Sequence, residues 1–348
     1  DLPDAKVEDN DDWFDRRQIA GEWFKALDEH SLDTPFTDVN LCTYPNVGSN
    51  NNDLPHFVKK IRDYLGDASL GAGMLVSLDE VLASSSIVIA LTELSATAPL
   101  KMFARKFQFR GASMPGFLRV MIPTLSLNYE KVHERVMQFK ERMDRAEGVQ
   151  ISLSAKKKTY ECYFDLRFRS AHASGGLMRE DGVVANLPSG EAYITPYEGE
   201  RKGEPSRTQG LLPVQFGDEI VVYRIEQNRA VKVISNGVHS REEQQRIDDE
   251  PAYGNMAEIG IGVLGEWGVT AVGSTLLDEK LGLHIAFGRS EHFGGVTSPS
   301  SFRDPRNVVH IDRVYVPSVQ PSISVNEVAF VYENGITERI IVDGKYVV

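Results

Sequence analysis

The sequence is poor in cysteine. Its 348 residues include two, Cys42 and Cys162. That is too few for a disulfide framework, and a reduced, cytoplasmic setting is the simplest expectation. Long hydrophobic runs are also missing: no apolar stretch reaches the ~18 residues of a membrane-spanning helix. Positive charge is in deficit, with 38 Lys and Arg against 50 Asp and Glu, a net charge of -12 and a pI near 5.2. This balance argues against non-specific nucleic-acid binding and against attraction to an anionic membrane, so neither is expected as a partner. The opening residues, DLPDAKVEDNDDWFDRR, are acidic and polar, the wrong chemistry for a signal peptide. There is no internal repeat and no low-complexity segment.

What is present is ordinary globular material: 41% hydrophobic and 25% charged residues, enough chain for two domains or one large one. Residues 13–30 place Trp13, Phe14, Ile19, Trp23, Phe24 and Leu27 at helical spacing. Val39 to Tyr44 reads as a strand, followed by a loop of turn formers, PNVGSNNND. His56 to Leu65 has a helical pattern. Gly73 to Leu78 and Ile87 to Leu91 read as buried strands, with a helix starting at Ser77 or Asp79 between them. Alternating strand and helix predict an open α/β sheet for this half. Asn128 to Glu147 is a long amphipathic helix with a Tyr129, Val132, Val136, Phe139, Met143 stripe. Gly148 is the expected helix stop and domain boundary, giving domains of 1–148 and 149–348.

Beyond Gly148 the texture changes. Short strands are expected at 149–153, 159–169, 182–185, 192–195, 219–226 and 230–235. In 160–169 apolar and polar residues alternate, the mark of a half-buried strand. Residues 240–249 and 252–268 are helical candidates. From Val325 the chain returns to strands, with turns at Glu333-Asn334-Gly335 and Asp343-Gly344. The predicted class is α+β: an N-terminal open α/β sheet domain, then a mainly β domain.

Three of the eight histidines, His284, His292 and His310, fall between Glu279 and Tyr315. Val308, Val309, Ile311, Val314 and Val316 favour a strand around His310, and on a strand residues i and i+2 share a face. His310 and Asp312 then stand side by side, an imidazole and a carboxylate ready to bind a metal. Taken alone, such a pair is as compatible with a satisfied core histidine. Two more carboxylates lie in suggestive settings: Glu191 after a Pro-Ser-Gly turn in ANLPSGEAYITP (185–196), and Glu258 in YGNMAEIGIGVL (253–264). Arg167, Arg169 and His172, in RFRSAHASGG, are weaker candidates for anchoring a substrate carboxylate.

These segments, with LDEKLGLHIAFG around His284 and HID at 310–312, resemble in order the motifs of the aminopeptidase T and aminopeptidase S metallopeptidases. The likeness covers roughly residues 150–315 and is looser toward the N-terminus. It implies that Glu191, Glu258, His284, His310 and Asp312 hold two divalent ions, with a carboxylate bridging. Zn, Co, Mn or Mg would suit such ligands. It also implies an enclosed site in a homodimer. Glu258 would both bridge and act as general base. The family's tyrosine, seven residues after the motif histidine, is replaced here by Glu291, with His292 next. Either could substitute as ligand or acid/base, or both could be surface residues of the SEHFGG loop.

The expectation is a metal-dependent hydrolase acting on short peptides or small amides by metal-activated water. Two alternatives stand beside it. One is an Fe(II) ring-cleaving dioxygenase of the 2,5-dihydroxypyridine type, with His284, His310 and Asp312 as a two-His-one-carboxylate triad. Those enzymes resemble this chain with a histidine at the Glu258 position, and they lack the Glu191 carboxylate and the His284 imidazole. The other is a peptide-binding relative without catalysis.

Overall fold

The computed structural model describes residues 11–29, 38–48, 50–61 and 73–348. The acidic opening segment, residues 1–10, therefore lies outside the described residues. The architecture is α+β: an N-terminal region of helices and small sheets, then a larger β region carrying clustered acidic and histidine residues. The chain divides into two compact units. One gathers the described residues up to Leu127 with Gly176–Ser189 and Ser274–Leu277; the other comprises Asn128–Gly175, Gly190–Gly273 and Asp278–Val348.

In the first unit, the helix Asp11–Glu29 forms where the aromatic spacing predicts it. A parallel three-stranded sheet places Arg110–Pro115 between Ile87–Thr92 and Val184–Asn186, and the helix Thr97–Phe107 joins the first two strands. This is the predicted strand–helix alternation. Ser77 caps the helix Leu78–Ala83, its hydroxyl accepting from the Glu80 amide. Val58, Leu78, Leu82, Leu100, Ala104, Phe109 and Val184 make the core.

Two expectations fail here. The helix expected at His56 to Leu65 is a strand over Phe57–Ile61, paired on both sides, by Leu41–Thr43 and Met74–Ser77; residues 62–65 lie outside the described residues. Over so short a run, Phe57, Val58 and Ile61 fit either period, and long-range pairing decides. The strands expected to be buried are half open: Met74, Leu75, Ile87 and Ile89 are exposed.

The second unit is built on two antiparallel sheets. The larger has eight strands, running spatially from Arg229–Val233 through Lys158–Asp165 and Ala146–Ala155 to Ile323–Tyr332 and Lys345–Tyr346. The smaller has five, in the order His310–Val314, Leu283–Gly288, Met256–Gly262, Glu191–Ile194, His172–Ser174. Tyr223 of the larger sheet meets Phe287 of the smaller, ring centroids 5.1 Å apart, and Tyr315 donates to the Pro213 carbonyl at 3.0 Å. The helix Tyr129–Arg145 buries Val132, Val136, Phe139 and Met143, with Asn128 accepting from Lys131 at its N-terminus.

Three readings change in this unit. The helix ends at Arg145 and Gly148 lies inside the following strand, paired with Asp165. A Cβ there would strike the Tyr163 hydroxyl at 2.1 Å and its ring at 2.3 Å, so this glycine serves close packing and not a helix stop. Residues 252–268, expected as helix, hold a 3-10 turn and the strand Met256–Gly262, buried along its whole length. Burial on both faces removes the alternation by which a strand is read. The strand Gln209–Phe216 was not foreseen, because Pro213 interrupts its pattern.

Candidate metal centre

Four adjacent strands of the smaller sheet carry the five candidate ligands. Gly260 pairs with Tyr193 on one side and His284 on the other, and Ala286 lies between Glu258 and Asp312. Because alternate residues share a face, Glu191, Tyr193, Glu258, His284, His310 and Asp312 project from one side of the sheet. Ile259, Ile261, Ile285 and Phe287 form the other side and are fully buried. An ordinary strand alternation thus separates a wall of aliphatic packing from a wall of charge.

The groups meet in two sets that share one carboxylate. Glu191, Glu258 and His284 each offer an atom within 4.8 Å of the others, and so do Glu258, His310 and Asp312. His284 Nε2 is 3.2 Å from Glu258 Oε1 and 3.4 Å from Glu191 Oε2. His310 Nε2 is 3.3 Å from Glu258 Oε2 and 3.8 Å from Asp312 Oδ1. The outer nitrogens face backbone carbonyls: His284 Nδ1 lies 3.3 Å from Gly282 O, and His310 Nδ1 lies 2.8 Å from Arg289 O. A carbonyl only accepts, so each Nδ1 carries a proton and each Nε2 turns inward, the orientation that suits a metal ligand.

Charge explains the protonation. Burial works against an imidazolium at both histidines, yet Glu258 and Glu191 raise His284 to about 9, and Asp312 and Glu258 raise His310 to about 10. Burial would raise Glu258 too, but the hydrogen bonds from His284 and His310 prevail and hold its carboxyl well below the usual range. Three carboxylates gathered on one largely buried wall attract positive charge, which is the physical cause of both upward shifts.

Two observations show that the residues fit a divalent cation. Glu191 Oε2 is buried with no hydrogen-bond partner, although such an oxygen normally finds one. The strand also opens space for the ring: a Cβ on Gly260 would lie 1.9 Å from His284 Nε2. The donor set of oxygens and imidazoles suits Zn, Co, Mn, Fe or Mg and does not choose among them.

Glu291 and His292 belong to neither set. Arg289 takes both oxygens of Glu291, at 2.9 and 2.7 Å from its Nε. The His292 ring packs against Phe293 and lies edge-on to His310 at 5.3 Å; burial and the neighbouring His310 charge push it down to about 4. The loop they occupy is tied down by Glu198, which accepts from Ser290 at 2.5 Å and from Thr297 at 2.7 Å. Arg167 is engaged with buried Asp165 at 2.8 Å, Arg169 with Glu200, and His172 with the Phe293 carbonyl at 3.1 Å.

Sequence reasoning passed over three neighbours of the centre. Tyr193 stands two residues after Glu191 on the same face, its ring 4.9 Å from Phe293; the alternation from Glu191 was the signal. Lys280 is 1% exposed, and its ammonium donates to Glu191 Oε1 at 2.6 Å and to Glu279. Burial pushes the Glu279 carboxyl up to about 8, against the pull of Lys280. Adjacent Glu and Lys read as surface residues in a sequence, and no local pattern marks them as buried.

No protein-family model matches the chain, and no curated relative was found. Among solved structures it is similar to a 2,5-dihydroxypyridine dioxygenase from Pseudomonas putida, at 16% identity and a TM-score of 0.52, over 77% of this chain and 74% of that one. It also matches AmpT from Thermus thermophilus at 17% identity and a TM-score of 0.44, over 73% and 68% of the two chains. At 16% identity the likeness to the dioxygenase is one of fold. The molecule is thus an α+β protein with a candidate divalent-metal site on one face of a five-stranded sheet.

Proposed function

We propose that the chain is a metal-dependent hydrolase that removes N-terminal residues from short peptides, or cleaves a small amide, using metal-activated water. The observation carrying this reading is the position of Glu258. It lies between the two imidazoles, one oxygen toward each, so each set holds one histidine and two carboxylates. Among the described residues no set combines both imidazoles with a single carboxylate, the arrangement expected of an Fe(II) oxygenase.

Cations bound by Glu191, Glu258, His284, His310 and Asp312 would polarise a scissile carbonyl and make water acidic enough to attack at neutral pH. The chain's own residues do the rest. Glu258 lies between the two halves, and in this reading it is also the group that accepts a proton from the attacking water once the cations have replaced the protons of His284 and His310. The Gly282 and Arg289 carbonyls hold the imidazoles in register. Phe293, against Tyr193 and His310, gives one side of the site an apolar wall that limits water and can receive an apolar side chain.

The test is a screen of aminoacyl-anilides, short peptides and small amides with Zn, Co or Mn, run beside oxygen uptake with Fe(II) on dihydroxypyridines. Hydrolysis that chelation abolishes is the expected result. The second reading draws on the shared fold with a dioxygenase; oxygen consumption without hydrolysis would establish it and overturn the first.

A further inference from the structure

Lys280 is a full charge in the interior. Lysine is seldom so buried unless paired, and here it is paired with a candidate ligand: its ammonium donates to Glu191 Oε1 at 2.6 Å and to Glu279. That leaves Glu191 one oxygen, Oε2, which faces His284 Nε2 at 3.4 Å and accepts no hydrogen bond. The other half of the centre differs. Among the described residues, neither Glu258 nor Asp312 forms an ion pair with a lysine or arginine; their charged partners are the imidazoles.

We propose that Lys280 makes the two halves of the centre unequal. One divalent cation is held tightly by Glu258 Oε2, His310 and Asp312. A second, on Glu191 Oε2, Glu258 Oε1 and His284, binds at least tenfold more weakly, because it shares Glu191 with a fixed ammonium. The inference rests on the reading that these residues bind divalent cations. An ammonium is a compact charge with three donors and no acceptor. It halves what Glu191 can offer and repels a second cation, and both effects are largest where water is excluded. Glu279 is a second acceptor for the ammonium, and with the near-complete burial of Lys280 it keeps the charge beside Glu191. The weaker ion is therefore exchangeable, and occupancy of the Glu191 half follows the free metal concentration.

The test counts ions without reference to turnover. The chain is stripped with chelator, reloaded with excess Mn(II) or Co(II), desalted and analysed for bound metal. Wild type should retain one equivalent and take up a second only with free metal present. Lys280→Met should retain two, and Lys280→Arg one. Mn(II) spin resonance should show an isolated ion in wild type and a coupled pair in Lys280→Met. Should Lys280→Met not fold, Glu191→Gln serves: it should keep the single tight ion, because Glu191 lies in the other half. Two retained equivalents in wild type, one in folded Lys280→Met, or loss of the tight ion in Glu191→Gln would overturn the proposal and leave the metal centre standing. A wild-type chain that retains no ion would remove both.

Discussion

Gly260→Ala probes the centre with a single carbon atom. Gly260 lies between Tyr193 and His284 in register, and a Cβ built on it falls 1.9 Å from His284 Nε2 and 2.1 Å from its Cε1. Ordinary contact begins at 3.4 Å, so the imidazole would have to retreat by about 1.5 Å. His284 is fully buried and has little room to do so. Overpacking of this kind costs ~1–3 kcal/mol, which at 2–4 °C per kcal/mol lowers the melting temperature by about 2–12 °C. Displacing the ring also removes Nε2 from Glu258 and Glu191. Loss of ligand orientation typically weakens metal binding by about 10–100-fold, or roughly 1.4–2.7 kcal/mol of metal-linked stabilisation at saturating metal. Calorimetry with and without Zn or Co measures both quantities. Wild type should gain melting temperature on metal addition, and Gly260→Ala should start lower and gain less. A variant with wild-type stability and wild-type metal response would refute the placement of His284 over Gly260, and with it the geometry of the Glu191 half.

Glu258→Gln should reduce metal binding in both halves and lower hydrolysis at least 100-fold, because both imidazoles turn on that carboxylate; metal content measured beside rate separates ligation from proton transfer, since a variant with full metal and no hydrolysis isolates the proton-accepting role. Asp165→Ala removes the buried partner of Arg167, leaving it the exposed Glu204, and strips an acceptor from the Arg207 amide; it should cost about 1–3 kcal/mol in denaturant unfolding while leaving metal stoichiometry unchanged. Asn128→Ala removes the acceptor for the Lys131 amide and should cost about 1 kcal/mol. Burial pushes the Tyr44 phenol up to about 12. An unfolded chain ionises it near 10, so its stability contribution is intact below pH 10 and is lost as pH rises toward 12, by up to about 3 kcal/mol. Tyr44→Phe should flatten the stability profile over that window; an unchanged slope would show that the phenol is not buried as described.

Much of the architecture could be read from local pattern. The amphipathic stripe from Val132 to Met143 has one period and one apolar face, so its helical form is legible before any neighbour is known. The Ser77 cap and the strand–helix alternation that follows are equally local. The failures share a cause. Phe57–Ile61 and Met256–Gly262 lack a distinctive period, one because it is short and the other because both faces are covered, and long-range pairing decides them. The same holds at the centre. Sequence proximity to His284 does not set the contacts of Glu291 and His292: Arg289 holds Glu291, and the His292 ring packs on Phe293 and lies 5.3 Å from His310.

By itself the sequence determined the supply of chemistry: which segments carry carboxylates and imidazoles, that His310 and Asp312 would stand on one face of a strand, and that the class is α+β. Only the tertiary structure decided that Glu258 lies between two imidazoles, that Gly260 clears a place for one of them, and that Lys280 is a buried charge bound to Glu191. The physical reason is register. A strand's period fixes the face of each side chain, but which residues become neighbours across strands is set by pairing between segments as distant in the chain as Glu191 and Gly262, and no local pattern encodes it.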